Sequence, residues 1–205
     1  MSFINDDYEV PQAPSKYMKF EEGKGEAGKN IFRILGSFED GTAIMGYEYW
    51  KTFKDENGKD TRKPVRKQMG EKIEMSELEI NERTGELDIP KHFWAFPVYN
   101  NKAKCIQILE LTQKTVIRKI LEYARNPKWG DPKNYDIVVY RDDSLPGTQC
   151  YSVDHDPKEE MSEEIKEALK TWRCNISALF ENKDPFATDD GIDIEEVGRI
   201  IDEGK

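Results

Sequence analysis

The sequence predicts a mainly β protein: an OB-fold, which is a five-stranded Greek-key barrel, with an inserted segment, one helix between strands 3 and 4, a C-terminal helix and an acidic tail. Two observations predict this fold. Residues 91–120 read as a β-hairpin that passes directly into a helix, because an aromatic strand, a turn at Asn100-Asn101 and an apolar strand precede a run with helical spacing. The remaining elements complete the order strand, strand, strand pair, helix, strand, strand, which is the order of an OB-fold.

Composition limits the class of protein. The chain has 205 residues, of which 37% are hydrophobic and 35% charged, so we expect one domain with a compact core and a heavily charged surface. No apolar run is long enough to cross a bilayer, and the N-terminus lacks the pattern of a secretory signal. The three cysteines, Cys105, Cys150 and Cys174, are odd in number and far apart, which indicates free thiols and a cytoplasmic protein.

Charge is distributed unevenly along the chain. The net charge is −10, but residues 1–15 carry −3, residues 154–205 carry −9 and residues 16–153 carry +2. A mildly basic centre with an acidic C-terminal third is a pattern found in nucleic-acid-binding proteins that carry an acidic tail.

The first barrel strands follow a loose N-terminal arm at 1–15. We predict a strand at 30–37 and a second at 42–53, bent at Gly46. Strand alternation places Tyr47, Tyr49, Lys51 and Phe53 on one face of the second strand, with Trp50 on the other.

Residues 55–90 are predicted to be an insertion in the 16–156 domain. Its first half contains a turn at Asn57-Gly58 and a basic cluster, and its second half is acidic, with a short helix expected around 71–78. The cluster consists of Arg62, Lys63, Arg66 and Lys67. It is interpreted either as a ligand contact or as the solvated face of a loop.

The centre and the C-terminal part supply the remaining elements. The aromatic strand 91–100 and its partner at 104–111 lead into a helix that Thr112 is expected to cap and that ends near Arg125. Two strands follow at 135–141 and 148–153. Residues 157–181 are predicted to contain one helix, 161–180, whose apolar stripe docks on the barrel, with a homodimer contact as the alternative. Residues 182–205 are predicted to be a mobile acidic tail.

These elements point to single-stranded DNA, because the two most aromatic segments fall on the strands with which an OB-fold binds oligonucleotides and the basic cluster lies between them. We expect about half of the aromatic rings to fill the barrel instead, among them Trp50 and Phe93, since alternation sends half of each strand inward. Trp129, in a loop bounded by prolines, is either a stacking residue or a lid on the barrel. The predicted DNA-binding residues are Tyr47, Tyr49, Lys51, Phe53, Arg62, Lys63, Arg66, Lys67, His92, Trp94, Phe96, Tyr99 and Trp129.

Several segments are together similar to one protein family. They are KYMKFEEG, NIFRILGS, GYEYW, RKPVRK, PKHFWAFPVYN, IQILELTQKTVIRKI, KWGDPKNYDIVVYR and a late DPF, which cover most of the chain. On these segments the chain resembles the single-stranded DNA-binding proteins of tailed bacteriophages and prophages. The resemblance implies an OB-fold that coats single strands in replication or recombination inside a bacterial host cell. It also implies an acidic tail that contacts replication or recombination proteins and competes with DNA. Here the DPF lies before the C-terminus instead of at it, which departs from the bacterial cellular relatives.

Other functions have weaker support in the sequence. A metal-dependent nuclease would require the acids at 142–143 and 154–156, but both groups lie in turn-like sequence where Asp is common for backbone reasons. The cysteines and histidines lack the spacing of a zinc site, and no catalytic grouping is evident, so we expect no enzyme activity, cofactor or metal. A protein-binding adaptor that uses the 161–180 stripe is the main alternative.

Overall fold

The protein is mainly β, with a mixed sheet of eight strands and few helices. A computed structural model describes residues 15–81 and 84–187. The predicted arm, except Ser15, and residues 188–205 of the predicted tail lie outside the described residues. The strands are β1 (Tyr17–Met18), β2 (Lys29–Ile34), β3 (Ile44–Lys54), β4 (Asp60–Gln68), β5 (Lys91–Asn100), β6 (Cys105–Leu111), β7 (Asp136–Arg141) and β8 (Tyr151–His155). The α-helices are α1 (Lys114–Arg125) and α2 (Glu163–Thr171), and the longest 3-10 helix is Ile176–Glu181.

The strands pair in the order β1-β6-β5-β2-β7-β8, and β3 pairs with both β5 and β4. The same edge of β5 pairs with two strands. Its last residues, Val98 to Asn100, pair with β2, and its first residues, Lys91 to Ala95, pair with β3. The two aromatic strands, β3 and β5, are therefore neighbours in the sheet. The pairing of β1 with β6 is parallel and all others are antiparallel.

The predicted insertion contains a strand that the sequence does not reveal. β4 runs antiparallel to β3 from the Gly46–Gln68 pair to the Lys54–Asp60 pair, so the two form a long hairpin. Pro64 is tolerated in β4 because this strand pairs along one edge only. Gly46 is required here, because a Cβ at this position would collide with the carbonyl oxygen of Lys67. The short helix expected at 71–78 is limited to the 3-10 turn Met75–Glu77.

The interior of the sheet forms the main core. Phe32, Val98, Leu111 and Ile137 from four strands are fully buried, and they pack with residues of α1. Those α1 residues, Val116, Ile117 and Ile120, are at helical spacing on one face of the helix. The helix begins after Gln113, one residue later than the predicted cap at Thr112.

The outer face of β5 and β6 is covered by the C-terminal part of the chain. Ile165 and Leu169 of α2 pack with Tyr99 and Ile106, while Ile176 and Leu179 pack with Phe93 and Ile108. The apolar stripe therefore docks on the sheet, as expected. Ser162 caps α2 by accepting a hydrogen bond from the backbone N–H of Ile165.

The predicted single helix at 161–180 is interrupted. α2 ends at Thr171, because the chain becomes extended at Trp172, whose ring lies 5.3 Å from that of Phe186. The backbone N–H of Asn175 then donates to the carbonyl of Pro185. Residues 182–187, predicted to belong to a mobile tail, are thus attached to the fold. No helix in the described ranges is long and apolar enough to span a membrane.

Candidate nucleic-acid interface

Four of the predicted base-stacking rings are core side chains. Tyr49, Trp94, Phe96 and Tyr99 have exposed fractions of 1%, 4%, 2% and 2%. The hydroxyl of Tyr49 donates a hydrogen bond of 2.6 Å to Glu77, and burial together with this bond raises the pKa of the phenol. A ring buried to this extent has no free face for a base, so the predicted stacking role of these four residues on an open surface is not supported.

His92 and Tyr47 lie on the same face as Trp94, at the edge of the core. The indole Nε1–H of Trp94 donates to Nε2 of His92 at 3.1 Å, and Nδ1 of His92 lies 2.9 Å from the carbonyl oxygen of Gly46. These contacts fit an imidazole that donates from Nδ1 and accepts at Nε2. His92 therefore orients Trp94, and Tyr47 packs edge-on against the histidine ring at 5.8 Å.

The predicted basic cluster is divided between two faces of the β3–β4 hairpin, because neighbouring residues of a strand point in opposite directions. Arg62 and Arg66 lie on one face, and Lys63 and Lys67 belong to the other. Arg62 pairs with Asp88, and Lys67 lies 3.8 Å from Glu77. Lys63 is exposed and has no ion pair within the described part of the chain.

Arg66 is buried, with its guanidinium held by two carboxylates. Its Nε donates to Glu48 at 3.0 Å and one terminal nitrogen donates to Glu110 at 2.8 Å, while the guanidinium lies 5.6 Å from the centre of the Phe93 ring. Burial raises the pKa of Glu110, with Arg66 opposing the shift and Glu48 adding to it. Arg66 is thus a fixed part of the structure and not a flexible surface cation.

A groove of about 710 Å³ lies between β1, β4 and the chain that follows the 3-10 helix Ile176–Glu181. Five cationic residues line it against two acidic ones, so the groove is positive in a protein that is negative overall. The cations are Lys16, Lys19, Lys63, Arg66 and Lys183, and the acids are Glu110 and Asp184. We refer to this groove as the basic groove.

Ion pairs neutralise only part of the basic groove. Lys16 lies 3.5 Å from Asp184, and Lys183 lies 2.5 Å from Glu181. Lys19 and Lys63 are exposed, and neither forms an ion pair with any residue that the structure describes. Two residues of the groove wall, Lys19 and Lys63, therefore carry unneutralised charge, although Lys63 belongs to the opposite face of the hairpin from the buried Arg66.

One exposed ring lies on the groove side of the hairpin. Trp50 is 39% exposed, and it is the register partner of Pro64, which lines the basic groove. Side chains directly opposite each other in an antiparallel pair lie on the same face, so the indole borders the groove. Trp50 was expected to fill the barrel. That prediction is wrong, because Tyr49 on the opposite face of β3 is buried while the indole of Trp50 is exposed.

The other predicted site residues lie away from the basic groove. Lys51 and Phe53 are on the opposite face of β3 from Trp50. Trp129 packs against the main core, and its ring centre lies 4.1 Å from that of His155. Trp129 is therefore held against the core and the His155 ring.

The groove cations that sequence reasoning missed come from distant parts of the chain. Lys16 and Lys19 flank β1, which reaches the groove through its parallel pairing with β6. Lys183 arrives with the docked C-terminal segment. No local pattern connects these residues, so only the tertiary structure brings them together.

The acids considered for a nuclease have structural partners. Asp142 accepts a hydrogen bond from Ser144 and Asp143 pairs with Arg141, and these bonds lower the pKa of both carboxyl groups. Within residues 15–81 and 84–187, no three His, Cys, Asp or Glu side chains are grouped in a way that suits a metal ion.

Comparisons with known proteins add no relative: no family model, no curated protein and no solved structure matches this chain.

Proposed function

We propose that this protein binds single-stranded DNA without sequence preference, with phosphates in the basic groove and at least one base stacked on Trp50. The observation that carries the proposal is the presence of Lys19 and Lys63, both exposed and unpaired among the described residues, beside the buried Arg66. Cations that follow a groove bind the phosphate backbone, and an exposed ring beside them accepts any base by stacking.

The folding pattern is the second support for this proposal. The path β6-β5-β2-β7-β8, with α1 between β6 and β7, has the strand neighbours of an OB barrel with one seam left open. We therefore propose an OB-type barrel to which β1 and the β3–β4 hairpin are added. In OB-folds oligonucleotides bind across the sheet and its loops. In this chain the C-terminal segment covers the outer face of β5 and β6. We therefore propose that the DNA runs instead along the edge where β1 and β4 lie.

The main alternative has lost its structural basis. A protein-binding adaptor was inferred from the apolar stripe at 161–180, but Ile165, Leu169, Ile176 and Leu179 are all buried against the chain's own sheet. The proposed recruitment of replication or recombination proteins is therefore assigned to residues 188–205, which follow the docked segment and are mostly acidic or apolar.

A tryptophan fluorescence titration with oligothymidine at low salt tests the proposed function. Wild type should bind and lose part of its fluorescence, because a base that stacks on Trp50 quenches the indole. Trp50→Phe keeps a ring for stacking, so it should still bind while losing most of the quenching. Absence of binding by wild type at low salt would refute the proposal, and equal quenching in Trp50→Phe would exclude Trp50 from the interface.

A further inference from the structure

The guanidinium of Arg66 keeps one donor group free at the wall of the basic groove. Its Nε and one terminal nitrogen donate to Glu48 and Glu110, whereas the other terminal nitrogen, Nη1, has no hydrogen-bond partner among the described residues. The side chain is almost completely buried, yet Nη1 is not fully enclosed, and Arg66 lines the groove. A fixed guanidinium with a free donor is suited to an oxyanion, which it binds through two nitrogens at once.

Two carboxylates share this single guanidinium, so the cluster carries one excess negative charge in an otherwise positive groove. The two acids differ in their access to the groove. The side chain of Glu48 is 12% exposed and does not line the groove, while that of Glu110 is 29% exposed and does. Glu110 is therefore the carboxylate that an anion entering the groove meets at Arg66.

The strands packed against Glu110 contribute three titratable groups, which are Arg66, Glu48 and Tyr17. Burial raises the pKa of Glu110, with Arg66 opposing the shift and Glu48 adding to it. Tyr17 on β1 stays neutral near pH 7, because burial, with the Glu110 carboxylate adding to it, raises the pKa of its phenol to about 12. Along the rest of the groove wall the charged residues are Lys16, Lys19, Lys63, Lys183 and Asp184.

We propose that a phosphate of the single strand replaces Glu110 at the guanidinium of Arg66, so that Glu110 is an exchangeable counter-ion of the phosphate site. This proposal rests on the proposed function. The phosphate accepts from Nη1 and from the terminal nitrogen that Glu110 releases, which is the two-point contact that a guanidinium makes with a phosphate. The released carboxylate then lies beside a second anion in a partly buried position, so it takes up a proton from the solvent.

The position of Arg66 also fits the base proposed to stack on Trp50. Glu48 and Trp50 lie on one face of β3, opposite Arg66 and Pro64 of β4. Residues two apart on one face of a strand are separated by about 7 Å. A base on Trp50 and a phosphate on Arg66 therefore belong to one short stretch of the strand.

The substitution Glu110→Gln tests the exchange, because Gln has nearly the same shape but neither a negative charge nor a titrating group. Its amide oxygen still accepts from Arg66, and a thermal melt verifies that the variant is folded. Glu122→Gln, an exposed residue of α1 outside the groove, is the charge-matched control. The affinity of each protein for oligothymidine is measured from about pH 5 to pH 8 at constant salt, and calorimetry in buffers of different ionisation enthalpy counts the protons taken up on binding.

Wild type and Glu122→Gln should bind more tightly as the pH falls and should take up protons, because protonation of Glu110 removes the competitor of the phosphate. At about pH 8, Glu110→Gln should bind roughly tenfold more tightly than wild type, and the difference should shrink toward about pH 5. It should also take up fewer protons, since any protons taken up by His92 and His155 are common to all three proteins.

Either of two results would overturn the inference and leave the proposed function intact. One is oligothymidine binding by wild type without proton uptake, which needs no variant. The other is a folded Glu110→Gln whose affinity, pH dependence and proton uptake match those of wild type. Absence of oligothymidine binding by wild type would refute the proposed function, and the inference with it.

Discussion

The basic groove makes a quantitative prediction about salt dependence. Lys19 and Lys63 are exposed and unpaired within the described ranges, so replacing both with Gln should remove two phosphate contacts without affecting folding. Arg66 is not a suitable target, because its loss would leave Glu48 and Glu110 without their partner in a buried position. Each contact to single-stranded DNA contributes about 0.7 to the slope of log affinity against log salt, so the double variant should lower the slope by about 1.4. Over a fourfold rise in salt, the affinity of wild type should therefore fall by a factor about seven times as large as that of the double variant.

The assay is an oligothymidine titration at several salt concentrations, in parallel with a variant of equal charge. Lys72→Gln with Lys114→Gln removes two exposed lysines that do not line the groove. This control should keep the wild-type slope, since the same net charge is lost at sites without a phosphate contact. An unchanged slope in the groove variant, or equal reductions in both variants, would show that the basic groove does not follow the DNA backbone.

Three further predictions concern single features of the structure. Trp50→Ala should weaken oligothymidine binding by about 1–3 kcal/mol without changing the melting temperature. Trp94→Ala should instead reduce the free energy of unfolding by about 3–5 kcal/mol, because it leaves a cavity in the core. A melting temperature lowered equally in both variants would contradict the assigned positions. Burial, with the Asp184 carboxylate adding to it, raises the pKa of the Cys174 thiol to about 12, so at pH 8 only about one such thiol in ten thousand is ionised. Cys174 should therefore be the last of the three cysteines to react with an alkylating reagent, as followed by mass spectrometry, and rapid labelling would mean that the C-terminal segment is not held on the sheet. Deletion of residues 188–205, which carry seven acids and two bases, should tighten oligothymidine binding at low salt and have a smaller effect at high salt; equal affinity at low salt would exclude competition by the tail.

The docked DPF sequence changes the expectation drawn from the family resemblance. Asp184 pairs with Lys16, Pro185 is buried, and the ring of Phe186 lies between those of Tyr17 and Trp172 at 6.1 and 5.3 Å. These contacts anchor the motif to its own fold. A partner that bound this motif would first have to displace it from these contacts.

Sequence pattern was sufficient to predict most strands and α1, and its failures have physical reasons. α1 has a clear helical period because it packs one face on the core, whereas β5 and β6 are buried on both faces and are indicated by their runs of aromatic and aliphatic residues. β4 has neither pattern, since its residues 60–68 are almost all polar and it is exposed at the edge of a hairpin. The interruption at Trp172 depends on tertiary contacts with Phe186, and no local signal in the 161–180 pattern indicates it.

The interface was harder to predict than the fold. Alternation correctly implied that about half of the aromatic rings are internal, but the choice between Tyr49 and Trp50 depends on which face of β3 the rest of the protein covers. The cover on β5 and β6 comes from α2 and the chain after it, more than 50 residues away in sequence. The candidate site is therefore not the predicted strand face but a groove whose cations are widely separated in the chain.

The central claim, that single-stranded DNA occupies the basic groove, is tested most directly by lysine footprinting. The full chain is treated with an amine-reactive reagent with and without saturating oligothymidine, and the modification of each lysine is quantified by mass spectrometry. The account predicts strong protection of Lys19 and Lys63 by DNA, with Lys72 and Lys114 modified equally in both samples. Unprotected Lys19 and Lys63 in a protein that is saturated with DNA would place the strand elsewhere and contradict the account.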